Sequence, residues 1–181
     1  LLIYVSEKLE LPLSQATSLM TLSALMGITF SFLANPIVDR FGRKWIIVFS
    51  LAANGAGYFL LSQANSFAAF AAVMAMNGSV NPLYRVGADA MLADLLPQEK
   101  RADGYSLLRM SNNLGVALGP AIGGYLASVS YTFAFYCACA GMVSYSLLLL
   151  FFARETLPPN PHSEEQRPRE RFGGYGQVLK D

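Results

Sequence analysis

Hydrophobic residues fill five long stretches of the chain, which are separated by short polar segments. None of them alternates as a membrane-barrel strand would, and each is long enough to cross a bilayer as a helix of about 20 residues. The stretches are Leu13–Val38, Trp45–Gln63, Ser66–Leu92, Tyr105–Val129 and Tyr131–Ala153. The apolar opening Leu1–Val5 is interpreted as the end of an earlier helix. The pattern predicts a transmembrane helical bundle over residues 1–153.

The connections between these stretches are short, so consecutive helices are expected to be antiparallel neighbours. Basic residues occur in the 39–44 loop, in the 93–104 loop and directly after the last stretch, whereas the loops around Ala64 and Ser130 contain none. Cytoplasmic loops carry an excess of Lys and Arg. We therefore expect a multi-pass protein of the cell membrane with the 39–44 loop and the polar tail 154–181 in the cytoplasm, the tail being a linker.

Composition supports the membrane class and excludes others. Of the 181 residues, 54% are hydrophobic and 14% charged, against about 25% charged in soluble domains. The net charge of +1 gives no field that would attract nucleic acid. The single histidine, His162, lies in the tail, and Cys137 and Cys139 point to different sides of a helix, so neither a metal site nor a cofactor is predicted.

The stretch Ser66–Leu92 carries polar residues at four-residue intervals. They are Asn77, Asn81, Arg85 and Asp89. A charge inside a bilayer costs about 2.5–3.5 kcal/mol, so this stripe is expected to face a water-filled cavity or the bundle interior. Two structural alternatives stay open: an ion pair between Arg85 and Asp89, and hydrogen bonds from Asn77 and Asn81 to a neighbouring helix.

The stretch Tyr105–Val129 is marked by small residues. They are Gly115, Gly119 and Gly123 at four-residue spacing, with Pro120 and Gly124 beside them. This pattern favours a face for close helix packing over the two alternatives, a hinge and a role in substrate binding. Asn112 and Asn113, one turn earlier, are candidates for the lining of a cavity. The stretches 45–63 and 131–153 carry no charge and are expected to face lipid.

Two motifs connect the chain with a known family. Residues 35–44, NPIVDRFGRK, resemble the motif G-x-x-x-D-R-x-G-R-K/R, with Asn35 in place of the first glycine. Residues 115–124, GVALGPAIGG, match the antiporter motif G-x-x-x-G-P-x-x-G-G, whose earlier small position falls on Ser106. Arg85 also occupies the arginine position of a third, weaker motif. On these residues the chain resembles the amino-terminal half of a drug:proton antiporter-like member of the major facilitator superfamily.

The resemblance implies an all-α fold of twelve helices in two halves, with the substrate site at the midplane between them. This chain would supply the end of helix one, helices two to six and the central linker. Helices one, two, four and five would line the cavity, and helices three and six would face outward. The missing carboxyl-terminal half of the same polypeptide is then an expected partner, together with the lipid bilayer and a small-molecule substrate.

The resemblance also implies roles for particular residues. A conformational gate is expected from Asp39, Arg40, Gly42, Arg43, Lys44 and Asp94. In it, Asp39 would contact a helix N-terminus of the missing half, and Arg43 would pair with Asp94 or, as second choice, with Asp89. The 115–124 motif would pack its helix and seal one side. Asp89, the only acid inside a complete span, would couple transport to protons.

The implied function is secondary active transport: proton-coupled efflux of small drug-like or hydrophobic compounds, with the proton gradient as energy source. Two alternatives remain, a sugar or organic-anion symporter or uniporter with Arg85 as the anion contact, and a non-transporting membrane sensor. The spans contain no Ser/His or paired-acid constellation of an intramembrane hydrolase, so the chain is not expected to be an enzyme.

Overall fold

The structure is a computed structural model that describes residues 2–157, all of whose regular elements are helices. The helices are α1 Leu2–Leu9, α2 Leu13–Phe41, α3 Arg43–Gln63, α4 Phe67–Leu95, α5 Arg101–Val129 and α6 Tyr131–Phe152, with a single 3-10 turn at Gln98–Lys100. The all-α membrane class predicted from the sequence is confirmed. Most of the predicted linker, from residue 158 onward, lies outside the described residues.

The 39–44 segment is shorter as a loop than the sequence suggests. α2 continues to Phe41 and α3 begins at Arg43, so the chain turns at Gly42 alone. Gly42 has φ 94° and ψ 144°, a conformation that residues with a β-carbon rarely adopt. The charged residues around this turn therefore extend the two helices beyond their apolar parts instead of forming a flexible connection.

Three of the described helices are long and apolar enough to cross a membrane: α2, α3 and α6. α4 and α5 are as long as α2, at 29 residues each. Their polar residues lower their hydropathy, which is the property expected of helices that line a passage rather than face lipid on all sides.

α4 lies at the centre of the bundle, packed between α2 and α3, and α6 covers the other side of α3. Close backbone approach makes the α2–α4 crossing possible. A β-carbon at Gly78 would overlap the backbone carbonyl of Ser23, and one at Gly27 would lie 3.5 Å from the carbonyl oxygen of Gly78. Small residues at a crossing allow membrane helices to pack by van der Waals contact.

The expectation that α3 faces lipid is wrong for much of its surface. Of the residues in its most apolar stretch 50% are buried, compared with 6% of those in the most apolar stretch of α6. A β-carbon at Gly55 would lie 3.0 Å from the side chain of Val143, and the Ser146 hydroxyl donates to the carbonyl of Val48 at 2.9 Å. Because lipid-facing and helix-facing positions are both apolar in a membrane protein, hydropathy alone could not assign this helix.

α5 differs from the other long helices, because none of its residues is buried. It makes limited contact with α6 and α4 and leaves most of its length open. α1 is packed more closely than α5. Its Tyr4 and Val5 are buried in a cluster with residues of α2, α3 and α4. The bundle is therefore closed around α4 and α3 and open along α5.

Candidate functional site

A cavity of about 550 Å³ lies between α4 and α5. Its walls are formed by Asn81, Tyr84, Arg85, Ala88, Asp89, Tyr105, Leu108, Arg109, Asn112 and Val116. The Tyr105 hydroxyl donates to the backbone carbonyl of Asp89 at 3.0 Å and joins the two helices at one end of this cavity. The structure thus brings together four residues predicted to line a cavity: Asn81, Arg85, Asp89 and Asn112.

A second cavity, of about 500 Å³, lies between α2 and α4. It shares Asn81 and Arg85 with the first, and α2 contributes Ser23, Gly27 and Ser31 to its wall. Asn81 and Arg85 therefore lie where the two cavities meet. The side of α4 that carries them is the floor of one concave surface, bounded by α2 on one side and α5 on the other.

Two of the predicted cavity residues lie elsewhere. Asn77 faces α3, where a β-carbon at Gly57 would overlap its side-chain amide, and its Oδ1 atom is buried without a hydrogen-bond partner among the described residues. Four residues turn a helix by about 400°, so each step of the stripe drifts by about 40° and Asn77 leaves the cavity side. Asn113, about 100° around α5 from Asn112, is exposed but does not line the cavity.

The ion pair between Arg85 and Asp89, an open alternative from the sequence, is not formed. Within residues 2–157, the ion pair that the structure contains joins Arg43 and Asp94. The side chains of Arg85, Asp89 and Arg109 make no hydrogen bond or ion pair with this described part of the chain, and all three are exposed to the cavity. The cavity therefore presents two guanidinium groups and one carboxylate.

Arg43 holds the beginning of α3 against the end of α4. Its guanidinium pairs with Asp94, the first of the two acids considered from the sequence, and its Nη1 atom donates to the carbonyl of Ala90 at 3.3 Å. Asp39, Arg40 and Lys44 play no part in this contact. The Arg40 guanidinium and the Lys44 ammonium lie over the neighbouring rings of Phe41 and Trp45, while Asp39 is exposed in the last turn of α2.

Sequence reasoning missed Glu155, which follows α6 and caps α3. Its carboxylate accepts hydrogen bonds from the backbone N–H groups of Arg43, at 3.0 Å, and Lys44, at 3.2 Å. A carboxylate is favourable at a helix N-terminus because it satisfies free N–H groups and complements the helix dipole. A β-carbon at Gly42 would lie 2.6 Å from Glu155 Oε2, so the carboxylate would have to shift if another residue stood there.

One sequence signal could have indicated such a cap. α3 begins directly after Gly42, which has no side chain to accept the first N–H groups of the helix. A helix that starts without a local cap needs an acceptor from elsewhere. Its identity could not be read from the sequence, because Glu155 is 112 residues away from Arg43.

The glycine face of α5 has no partner within residues 2–157. At Gly115, Gly119, Gly123 and Gly124, an added β-carbon would meet no atom within 4 Å, and Pro120 between them is exposed. The close packing predicted for this face is thus absent from the described part of the chain. The reason is that no other helix of this bundle reaches that side of α5.

Comparison with known proteins identifies the family. The whole chain, residues 1–181, matches the Major Facilitator Superfamily. The chain belongs to the major facilitator superfamily. The resemblance based on the 35–44 and 115–124 motifs is thereby confirmed at the level of the superfamily, which is a family of membrane transporters and not of enzymes.

Relatives of this major facilitator chain include an ion/proton antiporter and a quinolone resistance protein. It is 31% identical over 167 residues to the Na(+), Li(+), K(+)/H(+) antiporter of Planococcus maritimus, covering 87% of this chain and 38% of the relative. It is 27% identical over 117 residues to the quinolone resistance protein NorA of Staphylococcus aureus, covering 65% of this chain and 30% of the relative. The chain therefore spans well under half the length of these relatives.

A solved structure shares the fold. The crystal structure of a peptide transporter, POT, in complex with sulfate superimposes with a TM-score of 0.78 at 20% sequence identity, covering 87% of this chain and 34% of the other. The agreement extends over nearly all of the described major facilitator helices. At this identity it supports the arrangement of the helices and not a shared substrate.

Proposed function

We propose that this chain is one half of a secondary transporter that exports small drug-like compounds in exchange for protons by alternating access. The observation that carries the proposal is the cavity between α4 and α5. Arg85 and Asp89, which would be costly in lipid, lie in its wall together with Asn81 and Asn112. The relationship to an ion/proton antiporter and a quinolone resistance protein supports exchange rather than uptake.

The second half of the transporter would cover α5. From Met110 to Val129 this helix has no charged residue, and its exposed side chains include Val116 at 75% and Ile122 at 57% exposure. Lipid could cover the apolar side chains but would leave Asn112 without hydrogen-bond partners. A second helical bundle satisfies both requirements, because it can pack on the glycine face and enclose a polar cavity.

Asp89 is the proposed proton-binding residue. It is the one acidic side chain among the described residues that line the α4–α5 cavity. A bound proton shifts a transporter between its states only if its affinity differs between them. A carboxylate beside Arg85 in a cavity that opens and closes to water meets this condition, because its surroundings change with the state.

The 39–44 segment is proposed to be the gate, at the cytoplasmic face of the cell membrane according to the distribution of basic residues. Arg43–Asp94 and the Glu155 cap fix the beginning of α3 within this half. The carboxylate of Asp39, exposed at the end of α2, would reach a helix N-terminus of the other half in one state of the transporter.

Transport in proteoliposomes containing the full-length polypeptide tests this function. A pH gradient is imposed, the internal pH is followed with a trapped dye, and three probes of one size are offered: 2-naphthoate, 2-naphthamide and 2-naphthylmethylamine. Because the neutral forms of these probes cross lipid unaided, movement means the excess over protein-free vesicles under the same gradient. Movement of any probe against the direction of proton flow supports exchange. Movement in the direction of proton flow would establish the symport alternative, and no movement of any probe would contradict the proposal.

The Asp89→Asn variant tests the proton-binding residue in the same vesicles. We expect loss of proton coupling with ligand binding retained. Asp103→Asn is the matched control, because Asp103 is an exposed acid of α5 outside this cavity. Unchanged proton coupling in Asp89→Asn would remove Asp89 from this role.

A further inference from the structure

We propose that the cavity between α4 and α5 binds organic acids, with the acid group held between Arg85 and Arg109 and an apolar body lying beside them. The inference rests on the proposed transport function and specifies its substrate class. Arg109 lies inside the predicted stretch Tyr105–Val129 and was not among the candidate residues from the sequence.

Helix geometry places Arg85 and Arg109 at the same level along their two helices. The hydrogen bond from Tyr105 to the carbonyl of Asp89 fixes the relative height of α4 and α5. Arg85 lies four residues from Asp89 and Arg109 four residues from Tyr105, both leading away from the short 96–100 connection. Each step corresponds to about 6 Å along its helix, so the two arginines lie opposite each other one turn deeper.

The next turn continues the same arrangement with uncharged donors. Asn81 lies four residues beyond Arg85, and Asn112 three residues beyond Arg109, which is about 6 Å and about 4.5 Å further along the respective helix. Both line the same cavity. Asp89 thus marks one end, the two arginines the middle and the two amides the far end of the polar wall.

The balance of charge favours an anion. Two guanidinium groups and one carboxylate line the cavity, and none of them has an ion-pair partner within residues 2–157. Guanidinium groups bind carboxylates in a planar, bidentate manner that is stronger than a neutral hydrogen bond. An acid group between Arg85 and Arg109 would compensate the excess positive charge that the described part of the chain leaves in the cavity.

The remaining walls suit an apolar body. Leu108 and Val116 of α5 and Tyr84 and Ala88 of α4 line the cavity beside the charged groups. A cavity of about 550 Å³ is in the range of small-molecule sites, which combine apolar walls with a few placed polar groups. The expected ligand is therefore an aromatic or aliphatic carboxylate rather than a small inorganic anion.

Calorimetric titration of the purified full-length protein with the three naphthalene probes tests the proposal. The probes share one ring system and differ in charge, so their affinities report on the acid group. We expect 2-naphthoate to bind at least about tenfold more tightly than 2-naphthamide, and 2-naphthylmethylamine to bind more weakly than either, since a charge-assisted hydrogen bond contributes about a factor of ten or more.

Substitutions assign the effect to the two arginines. Arg85→Gln and Arg109→Gln should each reduce naphthoate affinity about tenfold and leave naphthamide affinity within about twofold, because the amide does not need the charge. Arg85→Lys and Arg109→Lys retain the charge and should lose less. Lys100→Gln removes an exposed positive charge outside the cavity and should leave all three affinities unchanged.

Retained naphthamide binding shows that a variant is folded, and the lysine variants provide a second measurement if a glutamine variant is not. Equal affinity for naphthoate and naphthamide in the wild type would overturn the proposal, and would indicate that acids of the other half neutralise the arginines. A naphthoate preference that survives both glutamine substitutions would overturn it as well.

The proposed function can fail separately. If proton-driven exchange of naphthamide or the amine is observed without a naphthoate preference, the transport function holds and the acid-binding site is wrong. If naphthoate binds preferentially through Arg85 and Arg109 but no probe crosses the vesicle membrane, the binding site holds and the transport function is wrong.

Discussion

Glycines lie on two faces of this bundle, and the structure uses the two faces in different ways. Gly78 of α4 lies inside the crossing with α2, where even one methyl group would overlap a backbone carbonyl. Gly119 of α5 lies in open space, with no atom within 4 Å of an added β-carbon. Gly78 therefore serves a contact made within this chain. By our proposal, Gly119 serves a contact with the other half of the transporter.

The largest expected effect is that of Gly78→Leu. Its side chain has no room beside Ser23, so α2 and α4 must separate, and overpacking of this kind costs about 1–3 kcal/mol. We expect loss of monodisperse protein in detergent or a clear decrease of the midpoint of thermal unfolding. Gly141→Leu is the matched control, since Gly141 of α6 has no neighbour within 4 Å. Normal stability of Gly78→Leu would show that the α2–α4 crossing is looser than described.

Gly119→Leu should separate folding from transport. The substitution adds a side chain to an open face and improves helix propensity, so the unfolding midpoint of the protein should not fall through changes inside this half. Transport in proteoliposomes should decrease at least about tenfold, because the added side chain would keep the other half from approaching α5. Full transport activity would contradict a packing role for this face, and Gly141→Leu again serves as the control.

Glu155→Ala should have a smaller effect, on the end of α3. Removing a helix cap costs about 1 kcal/mol, so the unfolding midpoint should decrease modestly. Glu155→Gln keeps an acceptor oxygen and should recover part of the loss. Glu99→Ala provides the comparison, because Glu99 is an exposed acid whose side chain makes no hydrogen bond among residues 2–157. Equal stability of Glu155→Ala and Glu99→Ala would exclude a capping role.

The smallest effects are expected from substitution of Asn77 and Asn81, which lie on different sides of α4. Asn77 lies on the side of α4 that packs towards Gly57, so Asn77→Ala should leave naphthoate affinity unchanged. Asn81→Ala lies in the cavity and should weaken naphthoate binding severalfold, since one neutral hydrogen bond contributes about 0.5–1.5 kcal/mol. A larger loss of naphthoate affinity in Asn77→Ala than in Asn81→Ala would indicate that Asn77, not Asn81, lines the binding cavity.

The helices and their membrane class could be predicted from the long apolar runs. A run of about 20 apolar residues can cross a bilayer as a helix, and a helix satisfies its own backbone hydrogen bonds in lipid. The position of α3 could not be predicted, since Gly55 and Ser50 are equally compatible with lipid and with a neighbouring helix. The prediction that polar residues of α4 line one cavity holds for Asn81, Arg85 and Asp89. It fails for Asn77, because the four-residue spacing drifts around the helix and places Asn77 against α3.

Contacts between distant parts of the chain were the hardest to predict. The Arg43–Asp94 pair followed from a family resemblance, whereas the Glu155 cap had no pattern in sequence that could indicate its partner. Arg109 was overlooked because basic residues near a membrane surface have a general explanation in the orientation rule. Its place opposite Arg85 depends on the relative height of two helices, which only the structure supplies.

The central claim, that the α5-facing side of α4 borders a water-filled passage, can be tested by thiol labelling in native membranes. Cys137 and Cys139 are first replaced by serine, and single cysteines are then introduced as Asn77→Cys and Asn81→Cys. A membrane-impermeant, water-soluble maleimide should label the Asn81→Cys protein rapidly and the Asn77→Cys protein at least about tenfold more slowly, because only the cavity side of α4 meets water. Equal protection of both positions, or faster labelling of Asn77→Cys, would contradict the account.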